Sequence, residues 1–216
     1  MTVTIGIDEA GRGPVIGPIV LCGVSIDEKD IHKLVSLGVK DSKLLSPNVR
    51  ESMFEKIKKI VKDYKIHVVG PEEVDRAVEA TNFNLNWLEA THSAQIINEL
   101  SGDKAILDCP STNVPAYTEY VRRLISRKID LVCEHKADMT YPVVSAASVL
   151  AKVVRDREVK KLEEQIGESF GSGYPADPRT KQFLEKNWDK FDFFRKSWSS
   201  WKKVKEKKGQ KNLVDF

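Results

Sequence analysis

The sequence predicts an α/β domain, a sheet layered with helices, and three stretches carry that prediction. An apolar strand pair opens the chain around an acidic, glycine-rich turn. Two short apolar runs near residues 105 and 131 are joined by a helical pattern, which makes a right-handed parallel crossover unit. A long helical run then extends from residue 143 to about residue 166, with Val144, Ala147, Leu150, Ala151 and Val154 along its apolar side.

Taken in order, Val3, Thr4, Ile5, Gly6 and Ile7 form the first strand, rich in β-branched residues. It runs into Asp8 and Glu9, then into Gly11-Arg12-Gly13-Pro14, and residues 19–24 make the second buried strand. Residues 38–43 are polar and loop-like. Ser46-Pro47 opens a helix, with serine as N-cap and proline at the first helical position. Residues 66–69 form a short strand that Gly70-Pro71 ends. A helical region follows from about Glu72, broken near Thr81-Asn82, and His92 within it reads as a structural histidine rather than a ligand.

Residues 105–107 give the next strand, which ends on Asp108-Cys109-Pro110. A helix from about Val114 leads to a strand at residues 131–133, and Glu134-His135-Lys136-Ala137 connects that strand to Asp138. His135 reads as a structural residue of the strand end. Beyond the long helix, Gly171-Ser172-Gly173-Tyr174-Pro175 is a loop. The remainder is helical, and the spacing of Trp188, Phe191, Phe193, Phe194, Trp198 and Trp201 favours core packing over base stacking.

At 216 residues, 31% charged and 41% hydrophobic, the chain has the composition of a soluble globular protein with a sizeable core. No apolar run approaches the ~20 residues that span a bilayer, and no secretory leader is visible. Cys22, Cys109 and Cys133 lie in or beside apolar runs, which suits buried thiols in a reducing, cytoplasmic setting. The net charge of +3 hides an asymmetry. Residues 179–211 hold twelve basic and four acidic side chains, whereas residues 1–178 hold 23 and 27. A basic segment on a mildly acidic body predicts a polyanionic partner.

Functional side chains in such sheets gather at the carboxyl ends of parallel strands. Asp8, Asp108 and Asp138 each lie at, or just past, such an end, with Glu9 beside the first. Carboxylates brought that close cannot all ionise without a cation. Oxygen-only ligands suit Mg²⁺ or Mn²⁺, and two such ions about 4 Å apart stabilise the attacking and leaving oxygens of an in-line phosphoryl displacement. A glycine turn that exposes backbone N–H groups, and a basic arm, complete the pattern expected of phosphodiester hydrolysis.

The stretches Asp8-Glu9-Ala10-Gly11-Arg12-Gly13-Pro14, Asp41-Ser42-Lys43-Leu44, Leu107-Asp108, Glu134-His135-Lys136-Ala137-Asp138, Ala146-Ala147-Ser148-Val149-Leu150-Ala151-Lys152-Val153 and Gly171-Ser172-Gly173-Tyr174-Pro175 closely resemble type 2 ribonuclease H (ribonuclease HII) in its archaeal form. The resemblance covers nearly the whole chain in the expected order. It implies a ribonuclease H-like fold, a five-stranded mixed sheet flanked by helices, with a small helical C-terminal region. It further implies endonucleolytic cleavage of RNA in RNA–DNA hybrids and on the 5′ side of ribonucleotides embedded in duplex DNA, leaving 5′-phosphate and 3′-hydroxyl ends.

By that resemblance the metal-binding acids are Asp8, Glu9, Asp108 and Asp138. Gly11, Arg12 and Gly13 contact the backbone and ribose 2′-hydroxyl at the cleavage site, and Tyr174 bonds the 2′-hydroxyl, the group that separates RNA from DNA. Lys43 is a candidate phosphate contact. Ser148 and Lys152 share one face of the long helix, where Lys152 meets a phosphate, neutralises the acids or serves structure alone. The expected organisation is a catalytic domain over residues 1–170, a basic helical region over 171–209 that grips duplex backbone, and a tail over 210–216. In that tail Gln210, Leu213 and Phe216 resemble the short peptide by which replication proteins dock on a DNA sliding clamp. Nothing demands more than a monomer. Two rival readings are a non-catalytic hybrid- or clamp-binding scaffold and a nuclease of the same fold that cuts DNA junctions.

Overall fold

The structure, a computed structural model, describes residues 2–39 and 46–214. Five strands form one mixed sheet: β1 (Val3–Ala10), β2 (Ile19–Asp27), β3 (Asp63–Val69), β4 (Lys104–Asp108) and β5 (Asp130–Glu134), in the order β3-β2-β1-β4-β5. β1 is central. It runs antiparallel to β2 and parallel to β4, and β5 continues the parallel side. The helices are α1 (Ile31–Leu37), α2 (Pro47–Ile60), α3 (Pro71–Glu79), α4 (Leu85–Glu99), α5 (Val114–Leu124), α6 (Ala137–Thr140), α7 (Pro142–Ile166), α8 (Pro178–Asn187) and α9 (Ser199–Val214).

Side chains alternate across the sheet, so it buries two cores. On one face Ile5, Ile7, Leu21 and Leu107 pack with Ala90, Ala94 and Ile97 of α4 and with Tyr117 and Val121 of α5. On the other, Val20, Cys22, Val24 and Ile106 pack with Val144, Ala147 and Leu150 of α7. α7 lies hard against β1 because residue 6 is glycine. A Cβ there would come within 2.5–2.6 Å of the backbone of Val143 and Val144.

A third core joins the C-terminal region to the body. Val15 and Ile16 of the β1–β2 connection meet Val159 of α7, Phe170, Phe183 and Leu184 of α8, Phe194 and Trp201. The aromatics of the C-terminal stretch are therefore packing residues, as their spacing predicts. All three cysteines are buried and free, and no described helix is long and apolar enough to cross a membrane.

One local expectation needs correction, and one helix was not foreseen. Ser46 occupies the N-cap of α2 in an extended conformation but its side chain makes no capping bond. The capping oxygens belong instead to Asn84, Asn113 and Asp177, which accept from the N–H groups of Trp87, Ala116 and Arg179. The short helix α1 has no periodic signature, since Leu34 is the one residue it buries.

Candidate active site

Register sets the first two acids side by side. Ile7 of β1 lies opposite Leu107 of β4, so the next residues, Asp8 and Asp108, emerge together at the carboxyl ends of neighbouring parallel strands. Both follow Gly6 and Ile106 onto the α7 side of the sheet.

The third acid arrives differently from what strand ends predict. The residue that ends β5 is Glu134, which is exposed and accepts a hydrogen bond from the Tyr141 hydroxyl at 3.0 Å. The chain then turns through Lys136, held at φ 59° in the left-handed region, and α6 brings Asp138 back under the sheet. Two bonds hold this return. The Ala137 N–H donates to Asp108 Oδ1 at 3.3 Å, and the Ser145 hydroxyl of α7 donates to the Asp138 carbonyl. One carboxylate oxygen from each of Asp8, Asp108 and Asp138 thus lies within 4.8 Å of the others, with Asp8 and Asp138 buried.

Glu9 belongs to the opposite face. Burial and then the nearby Glu89 carboxylate push its pKa up to about 8, against the pull of Arg12. Glu89 is itself 1% exposed and pairs with the Arg12 guanidinium, and Asn86, one turn earlier on α4, accepts from Arg12 Nη2 at 2.7 Å. Burial also pushes Glu89 up, to about 7. Across the strand, burial raises Asp8 well above the usual carboxylate range, with Glu9 and Asp108 adding to it and a hydrogen bond from Ser148 opposing it. Three crowded oxygen donors of this kind suit a hard divalent cation, whose charge offsets what burial and like charge disfavour.

These acids floor an open cleft of about 350 Å³, whose walls include Gly11, Arg12, Gly13, Ser148, Lys152, Arg155 and Tyr174. The Tyr174 ring stays 44% exposed. It rests against Gly13, where a Cβ would come within 3.0 Å of the ring, and the Arg155 guanidinium lies 5.7 Å from its centroid. Arg155 also donates to the Ser172 carbonyl at 2.7 Å, which ties this loop to α7.

The backbone of the glycine turn is held from the C-terminal region. Arg195, fully buried, donates to the carbonyls of Gly17 (3.0 Å), Arg12 (3.0 Å) and Gly11 (2.7 Å), and Trp198 donates to that of Gly13 (3.3 Å). One member of the basic C-terminal stretch is therefore an internal strut. Sequence reasoning missed Asn86, Glu89, Arg155 and Arg195. An i, i+3 polar pair within apolar α4 is the one signal that marks the first two.

Ser148 and Lys152 line the cleft together, as helical spacing predicts. Gln210 is an exposed residue of α9. Lys43, Phe216 and the side chain of Leu213 lie outside the described residues. His135 donates from Nδ1 to the Cys109 carbonyl at 2.9 Å, a structural bond at the end of β4.

A family model described as Ribonuclease HII matches residues 5–201. The chain is 45% identical over 221 residues to a ribonuclease HII of Pyrococcus furiosus, an alignment covering 98% of this chain and 96% of that one. Its fold is similar to a crystal structure of the ribonuclease H2 from Pyrococcus horikoshii, with TM-score 0.88, 40% identity, and coverage of 95% of this chain and 98% of the other. It is also similar to the ribonuclease HII in a complex with PCNA from Archaeoglobus fulgidus, with TM-score 0.78, 41% identity, and coverage of 85% and 86%.

Proposed function

The chain belongs to the ribonuclease HII family and is a metal-dependent ribonuclease H, a phosphodiester hydrolase; from that premise we propose that its cleft cuts the RNA strand of RNA–DNA hybrids and nicks duplex DNA on the 5′ side of an embedded ribonucleotide. The products carry 5′-phosphate and 3′-hydroxyl ends. The observation that carries this reading is the convergence of Asp8, Asp108 and Asp138 within 4.8 Å at one end of the sheet.

Asp8, Asp108 and Asp138 would hold Mg²⁺ or Mn²⁺, and Glu9, which lines the same cleft, would be the fourth acid. When bound, two such ions supply charge stabilisation to both the entering and the leaving oxygen of an in-line displacement. The chain's own residues do the rest. Ser148 orients the Asp8 carboxylate, and the return through α6 fixes Asp138 against Asp108. Lys152 presents positive charge to the phosphate backbone, where contacts position without reading sequence, and Arg155 pins the Tyr174 loop to α7. Arg12, held by Glu89 and Asn86, and the backbone of Gly11 and Gly13 grip the strand at the cleavage point. Tyr174 reads the ribose 2′-hydroxyl, which its exposure and its seat on Gly13 favour. Lys43 is a further phosphate contact.

The division of residues 1–170, 171–209 and 210–216 into catalytic, duplex-gripping and tail segments belongs to the same reading. Gln210, Leu213 and Phe216 dock on a DNA sliding clamp, a partner class that the similarity to the PCNA-bound ribonuclease HII supports. These features suit roles in ribonucleotide and primer removal. The deciding experiment incubates a duplex containing one ribonucleotide with the protein, with Mg²⁺ or with chelator. A metal-dependent nick 5′ to the ribonucleotide, with the stated ends, is expected. Cleavage of an all-DNA duplex, or binding without a nick, overturns the reading.

A further inference from the structure

Away from the cleft, the edge strand β3 and helices α3 and α4 bring two histidines and two glutamates into one line. His67 Nδ1 faces His92 Nδ1 at 3.1 Å, His67 Nε2 lies 3.2 Å from Glu99 Oε1, and His92 Nε2 lies 3.1 Å from Glu73 Oε1. The two rings stand nearly perpendicular, at 86°. Sequence reading takes His92 as a lone structural histidine. What it does not show is that β3 delivers a second imidazole to it.

Three contacts in this line need three protons to be hydrogen bonds, and two neutral imidazoles carry two. Both Nε2 atoms face carboxylates and so hold those protons, which turns the two Nδ1 lone pairs toward each other. Something positive must sit between them. On the His92 side burial, which outweighs the help of Glu73, holds the pKa below the ordinary histidine value and so disfavours an extra proton on that ring. A metal ion takes both lone pairs at once. Imidazole nitrogens bind zinc at about 2.0–2.1 Å, so two tetrahedral ligands stand roughly 3.3 Å apart, close to the observed spacing. Each ring also has the carboxylate behind its far nitrogen that metal-ligating histidines almost always have.

We propose that His67 and His92 form a second metal centre, selective for a borderline divalent ion of the Zn²⁺ or Cu²⁺ class, with Glu99 and Glu73 orienting the two rings. The side chains of His67 and His92 are 19% and 14% exposed, so the pair is half-buried at the edge of the sheet. The two glutamates balance the ion's charge. The donor set separates this centre from the cleft: imidazole nitrogen suits Zn²⁺ and Cu²⁺, while carboxylate oxygen alone suits Mg²⁺ and Mn²⁺. Bound metal clips the edge of the sheet to α4 and leaves the cleft acids untouched.

Cu²⁺ serves as the probe, because nitrogen hyperfine coupling counts imidazole ligands and the acids of the cleft offer none. One equivalent added to the full chain gives a two-imidazole pulsed-EPR signature. His67→Gln and His92→Gln each lose it and weaken Zn²⁺ binding tenfold or more by calorimetry, with Mg²⁺-dependent hybrid cleavage unchanged as proof of folding. Glu73→Gln and Glu99→Gln keep both nitrogens but weaken Zn²⁺ by about 10–100-fold. An unchanged spectrum in the doubly substituted His67→Gln, His92→Gln chain overturns the proposal. So does Zn²⁺ binding to the parent that is no tighter than to that double variant, which reads the pair as hydrogen-bonded only.

Discussion

The floor of the cleft hangs on the sheet, with Asp8 and Asp108 set by the register of β1 and β4, whereas its rim hangs on loops pinned by arginines. The floor concentrates like charge: burial and neighbouring acids raise Asp8, and the fold tolerates this because strand ends are too rigid to let the acids part. The rim does the reverse. Arg195 and Arg155 satisfy loop carbonyls, and Arg12 is matched by buried Glu89. Crowded like charges stand where a cation is to be held, and arginines bonded to loop carbonyls stand where geometry must be kept. Stability and activity should therefore respond in opposite ways to changes in the two regions.

The largest expected effect is on the floor. Asp8→Asn lowers Mg²⁺-dependent hybrid cleavage on the order of a thousandfold, the equivalent of several kcal/mol of charge stabilisation. Its melting temperature stays level or rises, because a desolvated carboxylate beside two others has been removed. Retained turnover, or a collapsed melting temperature, breaks the contrast between floor and rim.

Next comes the rim's strut. Arg195→Ala strips three carbonyls of their donor, that of Gly17 buried and those of Gly11 and Arg12 half-buried. At about 1–3 kcal/mol for a buried group left unpaired, denaturant unfolding should show a loss of about 3 kcal/mol. Cleavage that remains should show a weaker KM before a weaker kcat, since the glycine turn loosens while the acids stay put. A loss confined to kcat, with stability intact, assigns Arg195 to the chemistry instead.

A smaller effect separates substrates. Tyr174→Ala should reduce nicking at a single embedded ribonucleotide about tenfold, roughly one hydrogen bond, and reduce cleavage of a long hybrid less. Equal losses on both substrates would leave Tyr174 as a packing residue.

The smallest concerns acid. The Asp177 carboxylate accepts from the N–H groups of Ser172 (2.8 Å) and Arg179 (2.9 Å), and its bonds with Ser172 hold its pKa down to about 2. With the folded value depressed below the ordinary 3.8, its stabilisation is complete above that pH. It is lost as pH falls from about 4 toward 2. Asp177→Asn should abolish that pH window in amide exchange across the 171–180 loop and give the faster, acid-like exchange already at neutral pH. An unchanged acid profile would show that other carboxylates govern the loop.

Much of this was legible in the chain itself. β-Branched residues mark β1, helical spacing marks α7, and the shared face of Ser148 and Lys152 survives into the cleft, because each depends on residues a few positions apart. Asp138 was legible as a candidate but not in its manner of arrival. The strand-end rule points to Glu134, and only the turn at Lys136 and the short helix α6 bring Asp138 beneath the sheet. Glu9 shows the same limit. Adjacent letters in the sequence become opposite faces of a strand, which sends Asp8 toward α7 and Glu9 toward Glu89.

By itself the sequence determined the layered α/β class, the acids at strand ends, the glycine turn and the aromatic packing of the C-terminal region. Those properties follow from local periodicity and composition. The tertiary structure alone decided that Arg195 reaches back 184 residues to the Gly11 carbonyl, that Glu89 holds Arg12, and that His67 meets His92. Such pairings depend on strand order and on which buried polar groups need partners, and neither is written in any short stretch of chain.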